Sequence, residues 1–187
     1  MNGATRLVIV VCWLGWGAYW LIAAFATKRT VERGGVVAYR VVCVMLIVAV
    51  LGAFRLAGAA PGSELWRTSL ALGVVSDCVV VGAAFAIWAR IVLGRNWSAE
   101  VTFKQGHELI ESGPYGLVRH PIYTGLLAMV LGTALDFGRP IAVAVFVGLC
   151  GALWWKAREE EDIMSRHFPA AYAGYKARVH AIIPFLL

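Results

Sequence analysis

The chain predicts an all-α, polytopic integral membrane protein of five membrane helices, the last two forming a C-terminal helical hairpin, with a pocket on the cytoplasmic side. Three observations predict it. Sixty per cent of the 187 residues are hydrophobic and 15% are charged, with a mean hydropathy of +0.74, more apolar content than a soluble core of this size needs. Apolar runs of membrane length recur along the chain. Lys and Arg concentrate in alternate connections.

An isolated helix needs about 20 apolar residues to cross a hydrocarbon layer ~30 Å thick, and the runs Leu7 to Ala26, Val36 to Phe54 and Ser69 to Ile91 meet that requirement. Two shorter runs, Pro121 to Leu135 and Pro140 to Trp155, are separated only by Asp136, Phe137, Gly138 and Arg139, which predicts a tight hairpin. Each arm reaches about 22 Å at 1.5 Å per residue. Its flanking segments return to one side whether or not the tip reaches the opposite surface.

Trp13, Trp16, Tyr19 and Trp20 recur at helical spacing in the first run, as helix or lipid packing with an aromatic belt would place them. Gly15, Gly17, Gly73, and Gly82 with Ala83 and Ala84, are expected to let helices approach closely. Asp77 lies inside the third run, where a charge is costly, and is expected to pack there protonated or hydrogen-bonded. The four cysteines, Cys12, Cys43, Cys78 and Cys150, fall in different predicted helices with no C-x-x-C pair and read as small packing residues. Ala24-Phe25-Ala26 resembles a signal cleavage site. The run before it is longer than a usual h-region, however, and Lys28-Arg29 follow it as a stop-transfer flank would.

Thirteen basic residues, among them Arg90, Arg119, Lys156 and Lys176, fall on one face of this topology, and only Arg6, Arg55, Arg67 and Arg139 on the other. The positive face is retained inside. The N-terminus is therefore expected outside, and the C-terminus and the pocket in the cytoplasm, in a prokaryotic plasma membrane. The net charge of +6 is read as a topology signal with attraction to anionic headgroups, and no nucleic-acid partner is expected. His107, His120, His167 and His180 lack metal-ligand spacing, so no metal is expected. Residues 1–92 read as an N-terminal helical scaffold on the substrate side, and 93–187 as cytoplasmic loop, hairpin and extension bearing the site.

Two segments carry chemistry. Pro121 suits the first position of a helix, and the positive end of that helix, with Arg119 and His120 just upstream, forms either a small anion site or an interfacial anchor. About thirty residues on, the acidic run Glu159-Glu160-Glu161-Asp162 follows the last apolar stretch. There Glu160, Met164 and Phe168 share one helical face, and the run is either a solvated charged face or part of a site. The polar stretch from Leu93 to Glu111 is too polar to span and reads as a lid or loop beside the hairpin.

Together these segments resemble the isoprenylcysteine carboxyl methyltransferase family and the related phospholipid methyltransferases. The likeness rests on Gly113-Pro114-Tyr115 followed by Arg119-His120-Pro121-Ile122-Tyr123-Thr124-Gly125, then on Glu160-Glu161, Met164, Phe168, Tyr172 and Tyr175, ending near Ile183-Pro184. It covers about half the chain. The resemblance implies an S-adenosyl-L-methionine-dependent methyltransferase acting on a lipophilic acceptor that enters from the membrane. It implies a cofactor pocket of His107, Glu108, Leu109, Ile110, Tyr115, His120, Pro121, Ile122, Tyr123 and Glu160, with Arg119, Lys156 and Glu160 as catalytic residues. Lys156 stands where the eukaryotic enzymes have an arginine, keeping the charge without the bidentate fork. A carboxylate acceptor would need only to be held, through Arg119 or Lys156. An amine or thiol would have to lose a proton, with Glu160 or Glu161 as base. The alternatives are a non-catalytic membrane lipid-binding or assembly protein and a membrane reductase, though no glycine-rich dinucleotide fingerprint is present.

Overall fold

The computed structural model describes residues 3–25, 30–33, 40–41, 44–45, 69–97, 102–104 and 108–183, and the fold is stated for those residues. It is helical: α1 (Gly3–Ala24), α2 (Ser69–Leu93), α3 (Pro121–Phe137), α4 (Pro140–His167) and α5 (Pro169–Arg178). Most of the expected span from Val36 to Phe54 lies outside the described residues. Within it residues 40–41 and 44–45 are helical, and Val41 and Met45 pack on the core formed by α3 and α4.

Three helices are long and apolar enough to cross a membrane, Gly3–Ala23, Gly73–Asn96 and Pro140–His167, and Pro121–Phe137 is a shorter apolar helix. The hairpin forms as expected but is tighter. α3 runs to Phe137, and Gly138, at φ +60°, caps it with its N–H on the Ala134 carbonyl at 3.1 Å, the left-handed conformation that glycine adopts without penalty. Proline opens both α3 and α4, where the missing N–H leaves no intrahelical bond unmade.

α2 and α3 run antiparallel at very close range. A Cβ on Gly82 would stand 2.6 Å from the Gly125 carbonyl oxygen, and one on Gly132 would stand 2.9 Å from that of Val75. Of the small residues singled out beforehand, Gly82 makes such an approach. Gly15, Gly17 and Gly73 meet nothing within 4 Å among the described residues. α1 lies parallel to α2: Ile9 packs on Val75 and Val79 at one end, while Arg90 donates to the Ala23 carbonyl at 2.7 Å at the other. Trp13 donates to Thr133 of α3 at 3.1 Å midway. Trp16 stacks on Trp20, whose edge meets Trp97, so the aromatic row serves helix packing.

Two features depart from expectation. The polar stretch after α2 contains a strand, β2 (Thr102–Lys104), paired antiparallel with β1 (Thr30–Arg33), the stretch just beyond α1. Asp77 is exposed on α2 rather than packed. The C-terminal ends of α1 and α2, the start of α3 and the ribbon all gather at one end of the bundle, where α4 projects beyond its apolar part.

Candidate active site

α4 explains where the site forms. Leu149, Ala152, Leu153, Lys156, Ala157 and Glu161 are buried, spaced at three and four residues so that they share one stripe. The stripe begins in the apolar core with Tyr123, Leu126 and Val130 of α3 and ends, without leaving the buried face, in charged side chains. Glu160 is adjacent to it. Charged groups carried inward in this way need partners, and the start of α3 supplies them.

Tyr123, on the first turn of α3, donates to Glu160 Oε1 at 2.6 Å. Lys156, 5% exposed, donates to the Tyr123 hydroxyl at 2.6 Å and to Glu160 Oε1 at 2.9 Å. The His120 ring lies parallel to that of Tyr123, 5.3 Å between centroids. It stands between two carboxylates, Nδ1 3.5 Å from Glu160 Oε2 and Nε2 3.3 Å from Glu161 Oε1. Burial alone would lower the His120 pKa, but the hydrogen bonds and charges of Glu160 and Glu161 outweigh it, and the pKa lies above the ordinary value. Tyr115 is buried nearby. Burial and the Glu160 charge push its phenol up, so it remains a neutral donor.

Arg119 has a different place from the one expected. Its Nε and Nη2 both lie 2.8 Å from Glu161 Oε1, and Nη1 donates to the Val179 carbonyl. The guanidinium is thus engaged within the protein, tying α4 to the end of α5. Lys176 of α5 approaches the other oxygen of Glu161 at 3.0 Å. The expected anion site at the mouth of α3 is also filled from inside. The backbone N–H groups of Arg119 and His120 donate to the carbonyls of His180 and Ala181 at 2.8 and 2.9 Å, and Thr124 Oγ1 donates to that of Ile182 at 2.5 Å. Residues 180–182 thus form a strap across the helix mouth.

The sequence-derived residues therefore converge in part. Tyr115, His120, Pro121, Tyr123, Lys156 and Glu160 surround one cluster. Ile122 packs partly buried on the adjoining core. Glu108 is exposed and Leu109 and Ile110 half-buried on the approach to the Gly113 turn, and His107 lies outside the described residues. Glu161 proves more buried than Glu160, its side chain 5% exposed against 25%. Spacing pointed to it, being four residues after Ala157 and eight after Leu153 on the buried stripe. Arg90, read from sequence as a topology charge alone, is 3% exposed and lies over Trp97 at 4.6 Å while donating to the Ala23 and Gly94 carbonyls. Its position at the last turn of α2 was the available signal.

Residues 73–166 match the model of the isoprenylcysteine carboxyl methyltransferase (ICMT) family, a stretch that runs from Gly73 within α2 through α3 to Arg166 near the end of α4. A probable protein-S-isoprenylcysteine O-methyltransferase of Oryza sativa is 29% identical over 126 residues, 66% of this chain and 64% of that protein. The protein-S-isoprenylcysteine O-methyltransferase of Saccharomyces cerevisiae is 31% identical over 136 residues, 67% of this chain and 56% of that protein. A nickel-cobalt-cadmium resistance protein of Alcaligenes xylosoxydans xylosoxydans is 32% identical over 97 residues, 50% of this chain and 45% of that protein. The matched part spans less than two thirds of the length of each of these relatives.

Proposed function

Because this chain belongs to the isoprenylcysteine carboxyl methyltransferase family, we propose that it is an integral membrane methyltransferase that uses S-adenosyl-L-methionine and methylates a lipophilic acceptor arriving from the bilayer. The observation that carries the proposal is the hydrogen-bonded joining of Tyr123 on α3 to Glu160 and Lys156 on α4, where a buried apolar stripe turns polar. The site is proposed to face the cytoplasm, with the N-terminus outside. In support, the C-terminal ends of α1 and α2 and the start of α3 share one end of the bundle, as that topology requires.

The residues present fit a donor that carries both charges. Glu160 keeps an open edge, its side chain 25% exposed while those of His120 and Lys156 are 9% and 7% exposed, and an open carboxylate suits a cationic group. Arg119, Lys156 and Lys176 outnumber Glu160 and Glu161 by one charge before His120, with its raised pKa, is counted, and the positive surplus suits the carboxylate of the donor. When bound, the donor supplies a methyl group on a sulfonium, an electrophile that needs no activation by the protein. Glu160, His120, Tyr115 and Tyr123 hold and orient it, with Pro121, Ile122 and the stretch from Glu108 to Ile110 completing the wall. Lys156 and Tyr123 meet the acceptor at the membrane-ward end. The apolar stripe below excludes water, so catalysis here is alignment in a dry pocket. Arg119 fixes Glu161 and the end of α5 and acts as a positioning residue.

The test is to incubate the purified full chain with labelled methyl donor and a host lipid extract. A single lipophilic species carrying the label is expected. Folded protein that labels nothing would refute the proposal, and protein that retains lipid without any adenosyl compound would mark a lipid-binding protein instead.

A further inference from the structure

Two cations are buried among the described residues, Arg90 and Lys156. Lys156 has Glu160 at 2.9 Å, whereas no carboxylate among the described residues pairs with Arg90. Its terminal nitrogens donate to the Gly94 and Ala23 carbonyls at 2.5 and 2.7 Å, and its guanidinium carbon lies 4.6 Å from the Trp97 ring centre. Carbonyls and a ring face satisfy donors without supplying a negative charge. Nε, enclosed with the rest of the group, has no partner. An arginine serving only as an interfacial anchor would extend its head to water, but this one is turned inward between α1 and α2. Trp16 Nε1 is a second enclosed donor without a partner, in the row Trp16, Trp20 and Trp97 that leads to the guanidinium. A buried cation with an open donor, walled by indoles, fits a carboxylate carried on an apolar chain.

This place adjoins the methyl-transfer site. The turn Gly113–Gly116 rests on the last turns of α2, where a Cβ on Gly113 would lie 3.4 Å from Val92 and 3.6 Å from Trp88. Tyr115 on that turn is buried, and the charges of both Glu160 and Arg90 reach its phenol. Tyr115 thus stands between the carboxylate assigned to the donor and the arginine. We propose that Arg90 is the residue that selects the acceptor: its Nε takes one oxygen of an acceptor carboxylate beside Trp20 and Trp97, leaving the other oxygen to face the donor. The inference rests on the methyltransferase reading and adds to it the residue that recognises the anionic end of the acceptor.

In the step, the free carboxylate oxygen forms the bond to the methyl carbon as the carbon–sulfur bond breaks, and the electron pair of that bond returns to sulfur. The negative charge of the acceptor and the positive charge of the sulfonium cancel. A neutral methyl ester and a neutral thioether result, and no proton moves. Arg90 pairs with the carboxylate and not with the ester, so it favours entry of the substrate and departure of the product. The ion pair is complete before the methyl group moves, so its loss acts on acceptor binding more than on the chemical step.

The experiment uses the purified full chain in detergent with methyl donor, N-acetyl-S-farnesylcysteine and the uncharged primary amide of that acid. The wild type is expected to methylate the acid and to bind it at least about tenfold more tightly than the amide. Arg90→Gln should raise the KM of the acid at least about tenfold and lower kcat by less. Its affinities for the amide and for S-adenosylhomocysteine should match those of the wild type. Arg90→Lys, which keeps the charge without the fork, should fall between the two. Equal binding of acid and amide by the wild type overturns the proposal while leaving the methyltransferase reading in place. So does a loss in Arg90→Gln shared by acid, amide and S-adenosylhomocysteine, as a purely structural cap would give, or a loss confined to S-adenosylhomocysteine, which would put the donor's own carboxylate at Arg90. Folded wild type that binds no S-adenosylhomocysteine and methylates nothing in a host lipid extract removes that reading, and the inference with it.

Discussion

Replacing Gly125 with Ala tests whether the α2–α3 crossing sets the position of the site. A Cβ there would lie 2.5 Å from the carbonyl oxygen of Gly82 and 2.8 Å from both the backbone nitrogen and the Cβ of Ala86. Ordinary contact begins at about 3.5 Å, so the methyl group overlaps its neighbours by nearly a third of that distance. Those neighbours are mainly backbone of another helix and have no rotamer into which to move. Overpacking of this kind costs about 1–3 kcal/mol, with rigid obstacles at the upper end, and the better helix propensity of Ala returns at most about 1 kcal/mol. The net loss is about 2 kcal/mol, or a fall in Tm of about 4–8 °C for a chain of this length. Gly151→Ala is the control, since nothing lies within 4 Å of that position among the described residues; it should be neutral or slightly stabilising. Thermal unfolding of both variants in detergent makes the comparison. Equal stability of the two would refute the reasoning. Because Tyr123 sits two residues before Gly125, the destabilised variant should also bind S-adenosylhomocysteine more weakly.

Tyr123→Phe removes the hydroxyl that joins Lys156 to Glu160. Hydrogen bonds to charged groups contribute about 1.5–3 kcal/mol, so calorimetric affinity for S-adenosylhomocysteine should fall at least about tenfold, and unchanged affinity would contradict the role. Glu161→Gln withdraws the counter-charge of Arg119 and Lys176. Breaking a buried pair costs about 3–5 kcal/mol, whereas Asp162→Asn, which disturbs an exposed pair with Arg166, should cost less than about 1 kcal/mol; similar melting of the two would contradict the assignment. His120 has a raised folded-state pKa, so its contribution to stability is complete below its ordinary pKa of about 6.5 and is lost as pH rises through the folded value. The difference in Tm between wild type and His120→Asn should therefore shrink from about pH 6 to about pH 9. A difference that grows with pH would reverse the inference.

The helices were legible where local chemistry fixes them. Pro121 and Pro140 open α3 and α4, and Gly138 closes α3, because each residue imposes its own backbone geometry. The convergence of Tyr123 and Glu160 followed from placing both motifs at one end of the bundle. Other features depend on three-dimensional partners. α4 continues past its apolar part to His167, as the helical spacing of Glu160, Met164 and Phe168 indicates, but that Lys156 and Glu161 are the charges it buries depends on α3 and α5. β1 and β2 are four and three residues long, too short for alternation to register, and each needs the other to exist. Gly125 and Gly132 act only in relation to Gly82 and Val75 on another helix. Arg119 is diverted by carbonyls sixty residues away, at the end of α5, a partner no local pattern announces.

The most direct test is calorimetric titration of S-adenosylhomocysteine into the wild-type chain and into Glu160→Gln, both checked for folding. Saturable binding to wild type and at least about tenfold weaker binding to the variant is the predicted result. No binding to folded wild type, or equal affinity in the two proteins, would contradict the assignment of this cluster as the site that holds the methyl donor.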